Sequence, residues 1–206
     1  MIQKLKQNQF LFEELVKRDF KTKYKGTLLG MIWSILSPLL MLLVMRLVFT
    51  RFFAYSTEHY TIYLFCGTLV FNYFNESTSQ GMEVLVGNAS IFTKVNVPKY
   101  LFLFSKNTQT LINFGLTLGV FVVFCILDNI IFTWRWVLLV FPVFCLLLFN
   151  LGIGMILSAL YVFFRDMKYL WTIMTQLIMY MSAIFYTIDR YGQTAQYLFL
   201  LNPIYL

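Results

Sequence analysis

The chain has 206 residues, of which 60% are hydrophobic and only 12% are charged, and its formal net charge is +7. This composition supplies too little polar surface for an ordinary soluble domain, which is therefore excluded. The apolar residues form long blocks, each near the ~20 residues that a helix needs to cross a hydrocarbon core. The sequence predicts an all-α, polytopic integral membrane protein.

Residues 1–26 predict an amphipathic helix that lies at the membrane interface. The apolar residues that recur at helical spacing are Phe10, Leu11, Leu15, Val16 and Phe20. Lysine and arginine occupy many of the positions between them. Such a helix buries its apolar stripe at the acyl boundary and turns its basic face to the lipid headgroups.

Five apolar blocks follow, and each predicts one transmembrane helix. They cover approximately residues 28–49, 60–80, 100–127, 134–164 and 169–188. Helices are required because an open sheet would leave unpaired backbone amides in lipid, and the blocks lack the alternation of barrel strands. Residues 189–206 are expected to form an external segment.

Lysine and arginine are distributed unequally about these blocks, which predicts the orientation. The basic residues before the first block are Lys4, Lys6, Lys17, Arg18, Lys21, Lys23 and Lys25. With five crossings, Lys94, Lys99, Arg165 and Lys168 fall on the same side. Positive charge is retained on the cytoplasmic side of a membrane, so the N-terminus and the 81–99 connection are predicted to be cytoplasmic. No nucleic-acid recognition module accompanies the basic charge.

Several stretches of the sequence resemble one family of transport proteins. They are LVKRDFKTKYKGTLLGMIWSILSPL from Leu15 to Leu39, GNASIFTKVNVPKYLF from Gly87 to Phe102, FFRDMKYL from Phe163 to Leu170, and the pair Asn202-Pro203. In this order they resemble the permease subunits of polysaccharide-exporting ABC transporters, the type-2 exporters that move O-antigen, capsule or teichoic acid chains. The resemblance implies one permease domain over residues 1–206, acting as a homodimer in the bacterial cytoplasmic membrane.

The resemblance also implies a further transmembrane helix. The family has six spans, and this sequence stops at Leu206, where the sixth span would begin. Five spans would leave the C-terminus outside the cell. We therefore expect the natural protein to continue through one more span, back to the cytoplasm.

The sequence contains no phosphate-binding loop of the form GxxxxGK[ST], so an ATPase site of that type is absent from this chain. We expect a transport permease that is not an enzyme and binds no cofactor itself. The resemblance implies that ATP and Mg²⁺ bind to a separate ATPase subunit, two copies of which dock on the permease dimer. The residues assigned to this ATPase-coupling segment are Asn88, Ile91, Phe92, Lys94 and Val95. An ordinary interfacial loop helix is the alternative.

The resemblance implies a cytoplasmic gate at which a lipid-linked glycan enters the transporter. The residues assigned to this gate and to the substrate headgroup are Arg18, Asp19, Tyr24, Lys25, Trp33, Arg165 and Asp166. Basic side chains suit a phosphate or pyrophosphate group because they make charge-assisted hydrogen bonds to it. Snorkelling and helix capping at a membrane boundary explain the two Arg-Asp pairs equally well.

A translocation path is predicted along the second block. Glu76 is the only carboxylate placed inside a span, and its burial is costly unless it meets water or a partner. The resemblance adds a role for aromatic rings, whose faces stack on sugars. The residues assigned to this path are Phe71, Tyr73, Phe74 and Glu76. Core packing is the alternative for each ring, and a position near the interface is the alternative for Glu76.

Two other functions stay open at this point. The first is a permease of a different ABC exporter, for a drug or a lipid, which hydropathy does not separate from glycan export. The second is a membrane-embedded transferase acting on lipid-linked sugars. That chemistry needs a base or a metal site, whereas the only histidine is His59 and no metal-ligand spacing or activated nucleophile is visible.

Overall fold

The computed structural model describes residues 2–25, 29–48, 59–94, 96–186, 199, 202 and 204. Over these residues the chain is helical and forms no strand. The helices are α1 (Ile2–Tyr24), α2 (Trp33–Leu47), α3 (Tyr60–Gly87), α4 (Ala89–Phe92), α5 (Tyr100–Leu127), α6 (Val140–Phe163) and α7 (Met167–Met181). Short 3₁₀ turns, Gly30–Ile32 and Trp134–Leu139, lead into α2 and α6.

The helix bounds follow the apolar blocks of the sequence, with differences at several ends. Helix α5 begins and ends at the bounds of its block, whereas α3 continues beyond residue 80 to Gly87. Helix α2 is regular only from Trp33, with Pro38 inside it. Helix α7 ends at Met181, several residues before its block does. The predicted 189–206 segment lies outside the described residues, apart from residues 199, 202 and 204.

Two of the described helical segments are long and apolar enough to cross a membrane by length and composition. They are Tyr100–Leu127 and Trp136–Phe163, while Trp33–Val44 is apolar but shorter. Large apolar side chains cover the outside of α5 and α6, among them Val123, Ile126, Phe141, Phe144 and Ile156. So extensive an apolar exterior suits lipid rather than water. Five spans and an interfacial position for α1 stay predictions.

Helix α3 is the centre of the bundle, since it packs against α2, α5, α6 and α7. The main apolar core surrounds its first half, where Leu64 and Phe65 are almost fully buried. The Phe65 ring meets the rings of Phe121 and Phe124 on α5 edge-on, with centroids 5.7 Å away in each case. Edge-to-face packing of this kind stabilises aromatic pairs beyond their burial alone.

Helix α1 rests on the bundle through a second, smaller core. Leu15 is 5% exposed and packs with Val84, Leu101 and Phe102. Phe10, by contrast, is 68% exposed. The apolar stripe that predicts an interfacial helix is therefore divided, because Leu15 contacts protein while Phe10 faces outward.

Helices α3 and α6 approach each other closely at two glycines, Gly81 and Gly154. A Cβ atom built on Gly81 would lie 3.3 Å from the Gly154 Cα atom and 3.3 Å from the Leu103 side chain. Glycine permits this approach because it places only hydrogen between the helix backbones. Three other helical glycines differ, since a Cβ atom built on Gly115, Gly119 or Gly152 would meet nothing within 4 Å.

Replacement of Gly81 by leucine should destabilise the bundle, because the new side chain must push the α6 backbone away. Overpacking of a tight contact costs about 2 kcal/mol. We expect a clear drop in the thermal unfolding temperature of the detergent-solubilised protein, followed by size-exclusion chromatography after heating. Gly152→Leu is the control, since nothing lies within 4 Å of that position. Equal melting of the two variants would contradict a Gly81–Gly154 contact.

Candidate functional site

A cleft opens between α2, α3 and α5 and encloses about 660 Å³. Each helix turns a polar face towards it. The polar residues that line the cleft are Ser34 and Ser37 on α2, Thr68, Asn72, Asn75 and Glu76 on α3, and Thr110, Asn113 and Thr117 on α5. On α5 these residues recur at intervals of three and four, and the two serines on α2 are three apart, so each set lies along one side of its helix.

Aromatic residues line other parts of the same cleft. They are Trp33, Phe65, Phe71, Tyr73, Phe114 and Phe185. The Tyr73 hydroxyl donates a hydrogen bond to Asn107 Oδ1 at 3.1 Å, and its ring lies 4.9 Å from that of Phe114. The cleft therefore combines hydrogen-bonding groups with aromatic faces.

Lys23 and Glu76 form an ion pair at this cleft. Their side chains are 32% and 31% exposed. The Glu76 carboxylate also accepts a hydrogen bond from Gln80 Nε2 at 2.8 Å, and Asn113 Nδ2 lies at the limit of hydrogen-bond distance, 3.5 Å away. The pair joins the last turn of α1 to the middle of α3. The sequence analysis counted Lys23 in the basic flank before the first span but assigned it to no site.

Three of the four residues predicted for the translocation path line the cleft. These are Phe71, Tyr73 and Glu76. Phe74 is not among the lining residues and is 2% exposed. Its ring packs near those of Phe149 and Trp171, with centroids 6.1 and 6.0 Å away. Successive residues on α3 point in different directions, so Tyr73, which is 3% exposed and belongs to the same apolar core, borders the cleft while Phe74 does not.

Asp19 forms a buried anchor between α1 and α5. It is 5% exposed and accepts two hydrogen bonds from the Arg18 side chain, at 3.0 and 2.7 Å. On α5, Lys106 Nζ lies 3.7 Å from Asp19 Oδ2, and Ser105 donates a hydrogen bond at 3.4 Å. The predicted gate residues Arg18 and Asp19 thus bind each other and the bundle.

The other residues predicted for the gate lie at separate places. Trp33 lines the cleft, whereas Lys25, Arg165 and Asp166 do not. The Arg165 guanidinium lies over the Tyr161 ring, 5.3 Å from its centroid. Asp166 is exposed at the start of α7. Tyr24 ends α1, and its side chain lies outside the described part of the chain.

A second ion pair joins the residues near the Arg165–Asp166 turn to α3. Lys168 Nζ lies 2.7 Å from Glu83 Oε1, and both side chains are about half exposed. The hydrogen bond to Glu83 and the charge of that carboxylate raise the pKa of Lys168. This pair is outside the cleft.

The predicted ATPase-coupling segment contains the short helix α4, at the end of α3. Ile91 and Phe92 are half-buried against the smaller core, and the Phe92 ring lies 4.8 Å from that of Phe102. Asn88 is buried and donates a hydrogen bond to the Val84 carbonyl at 2.8 Å. The exposed residues of this segment are Ala89, Ser90, Thr93, Lys94 and Asn96. Val95 lies outside the described residues.

A helical bundle with an apolar exterior and a polar cleft between its helices has the arrangement of a membrane transport protein. The chain belongs to the ABC-2 type transporter family, which matches residues 11–206, and is a permease subunit of an exporter of that type. The family inferred from the sequence stretches is thereby confirmed.

Two relatives are similar over nearly the whole chain. The O-antigen export system permease protein RfbA of Klebsiella pneumoniae is 27% identical over 200 residues, which are 95% of this chain and 77% of that protein. The protein of the same name from Myxococcus xanthus is 29% identical over 206 residues, which are 99% of this chain and 79% of that protein.

Substitution of Asp19 by asparagine should loosen α1 from α5, because Arg18 and Lys106 lose the charge that they share. Loss of a hydrogen bond to a charged group costs about 2 kcal/mol. We expect faster amide hydrogen exchange in residues 11–20 and a lower melting temperature. Glu14→Gln is the control, since the Glu14–Lys17 pair is exposed. If exchange in α1 matched that of the control, Asp19 would not be an anchor.

Proposed function

We propose that this chain is the membrane-spanning subunit of an ATP-driven exporter of lipid-linked polysaccharide, of the O-antigen, capsule or teichoic acid type. The family supports export by an ABC permease, and both relatives are named as O-antigen export permeases. The structural observation that carries the proposal is the cleft of about 660 Å³, lined by hydroxyl, amide and aromatic side chains. Those are the groups that bind sugars within an apolar bundle.

The proposed orientation places the N-terminus and α4 in the cytoplasm of a bacterial cell. It is supported by the basic residues that precede α2 and by Lys94, Lys99 and Lys168, which the predicted topology puts on one side. The glycan would then enter from the end of the bundle near α1, and Phe71, Tyr73 and Glu76 would lie along its route. Lys25 and Trp33 remain proposed contacts for its headgroup.

The power for transport is proposed to come from two ATPase subunits bound to a dimer of this chain. Helix α4 and the residues after it are the proposed contact. Because Ile91 and Phe92 pack against the bundle, a docked subunit would meet mainly the exposed polar face with Ser90, Thr93 and Lys94. The apolar pair would transmit force to α1 and α5 through the smaller core.

Export is tested with the full-length permease and its co-purified ATPase in lipid nanodiscs. We expect lipid-linked oligosaccharides of the cognate glycan type to stimulate ATP hydrolysis several-fold, as a substrate that engages the cleft should. Lipid-linked sugars of an unrelated glycan type are the matched control. Stimulation by a drug or by phospholipid alone would instead favour another kind of ABC exporter. Sugar transfer in the absence of ATP would favour a transferase.

Charge reversal at Lys94 tests the docking face. Lys94→Glu should weaken co-purification of the ATPase about fivefold, as changes of exposed interface charges do, without lowering thermal stability. Phe92→Asp should uncouple ATP hydrolysis from transport. Unlike the lysine variant, it should lower thermal stability, because it places a charge against the Phe102 ring. Lys168→Gln is the control outside the segment. Normal assembly and transport in Lys94→Glu and Phe92→Asp would argue against docking here.

A further inference from the structure

Lys23 and Glu76 are the two charged side chains among the described residues that line the cleft. We propose that Lys23 binds the phosphate group of a lipid-linked substrate, and that Glu76 is a resident competitor that holds Lys23 until this phosphate arrives. The inference rests on the proposed function, from which it takes a lipid-linked phosphate as the ligand. It adds a regulatory role for Glu76, whose carboxylate pairs with Lys23 until a substrate phosphate replaces it.

The exposure of the pair allows such an exchange. Each side chain is about one-third exposed and borders the cleft, so an anion in the cleft reaches Lys23 without unfolding any helix. Ion pairs open to water contribute little to stability, and their partners exchange readily. Each phosphate of a lipid–sugar linkage carries the same single charge as a carboxylate, but a diphosphate linkage carries two such charges and offers more acceptor oxygens to the three ammonium protons. Phosphate therefore competes well for Lys23.

Glu76 keeps hydrogen-bond donors after Lys23 leaves it. Gln80 Nε2 already donates to the carboxylate at 2.8 Å, and Asn113 Nδ2 lies 3.5 Å away. A carboxylate left in a partly buried site without hydrogen-bond donors would cost roughly several kcal/mol. A cost of that size would oppose the release of Lys23 to the phosphate. Two neutral amides reduce that penalty, and they do not compete for the phosphate as another carboxylate would.

The Asp19 site shows what a permanent anchor looks like in the same helix. Asp19 is 5% exposed, and contacts from Arg18, Lys106 and Ser105 surround it. Arg18 and Lys106 are themselves 38% and 24% exposed, but they and Ser105 hold one buried carboxylate together, so an anion would have to displace several contacts at once. One turn further along α1, the Lys23–Glu76 pair has the opposite character, since it borders an open cleft. The Asp19 site therefore holds α1 in place, and the Lys23–Glu76 pair is left to bind a ligand.

The test measures equilibrium binding of radiolabelled farnesyl diphosphate to the full-length transporter in phosphatidylcholine nanodiscs, with empty nanodiscs subtracted. Glu76→Gln should lower the dissociation constant about threefold, because Glu76 no longer competes for Lys23. Lys23→Gln should raise it at least about tenfold. In the double variant the gain from Glu76→Gln should vanish, since there is no lysine left to release.

Glu83→Gln and Lys168→Gln form the matched control pair. Their ion pair also joins α3 to a neighbouring element, but it lies outside the cleft, so the dissociation constant should stay unchanged. Farnesol and inorganic pyrophosphate separate the contributions of lipid and phosphate. Weak binding of both supports a lipid-linked phosphate as the ligand, whereas equally tight binding of either one overturns that assignment.

The competitor mechanism is overturned if Glu76→Gln leaves the dissociation constant unchanged or raises it. It is also overturned if the gain persists without Lys23, since a general change in electrostatic potential would then explain it. Loss of thermal stability in Glu76→Gln with unaltered binding would mark the pair as purely structural. If any of these results occurs while the glycan still stimulates ATP hydrolysis, the competitor mechanism is wrong and the proposed function stands. If the Glu76 and Lys23 variants bind farnesyl diphosphate as expected but the glycan does not stimulate ATP hydrolysis, the proposed glycan export is wrong while the competition for Lys23 stands.

Discussion

The arrangement of this bundle depends on one constraint, which is that polar side chains in an apolar medium must face each other, water or a ligand. Helix α3 carries a polar run from Asn75 to Gln80 after an apolar first half. Lipid does not accept such a face, so α3 lies at the centre with its polar side against α2, α5 and the end of α1. The cleft is the result, because three polar helix faces meet without filling the space between them.

Much of the fold follows from the sequence, because block length and hydropathy set the helices. The bounds of α5 match its apolar block, and the basic, amphipathic residues before Gly26 form α1 as their spacing predicts. The polar end of α3 was also visible in the sequence, and Glu76 and Tyr73, which were assigned to a path there, line the cleft. These features depend on local pattern, which a single sequence displays.

Features that depend on how one helix is rotated against another could not be predicted in this way. Spacing along α1 does not reveal that Asp19 meets Lys106 or that Lys23 meets Glu76, since both contacts join distant parts of the chain. The inward packing of Phe92 and Phe74 has the same origin. A signal for the cleft was nevertheless present on α5, where Thr110, Asn113 and Thr117 interrupt an apolar block at helical spacing.

The position of the buried Asp19 has a mechanical consequence for α1. The carboxylate is fixed to α5 one helical turn before Lys23, which makes it a fulcrum near the end of a rigid rod of 23 residues. About 25 Å of helix extends on the N-terminal side of that point, and the short arm carries Lys23. Because Leu15 is also packed one turn before Asp19, any movement of the short arm must strain the smaller core before it reaches the far tip of the rod.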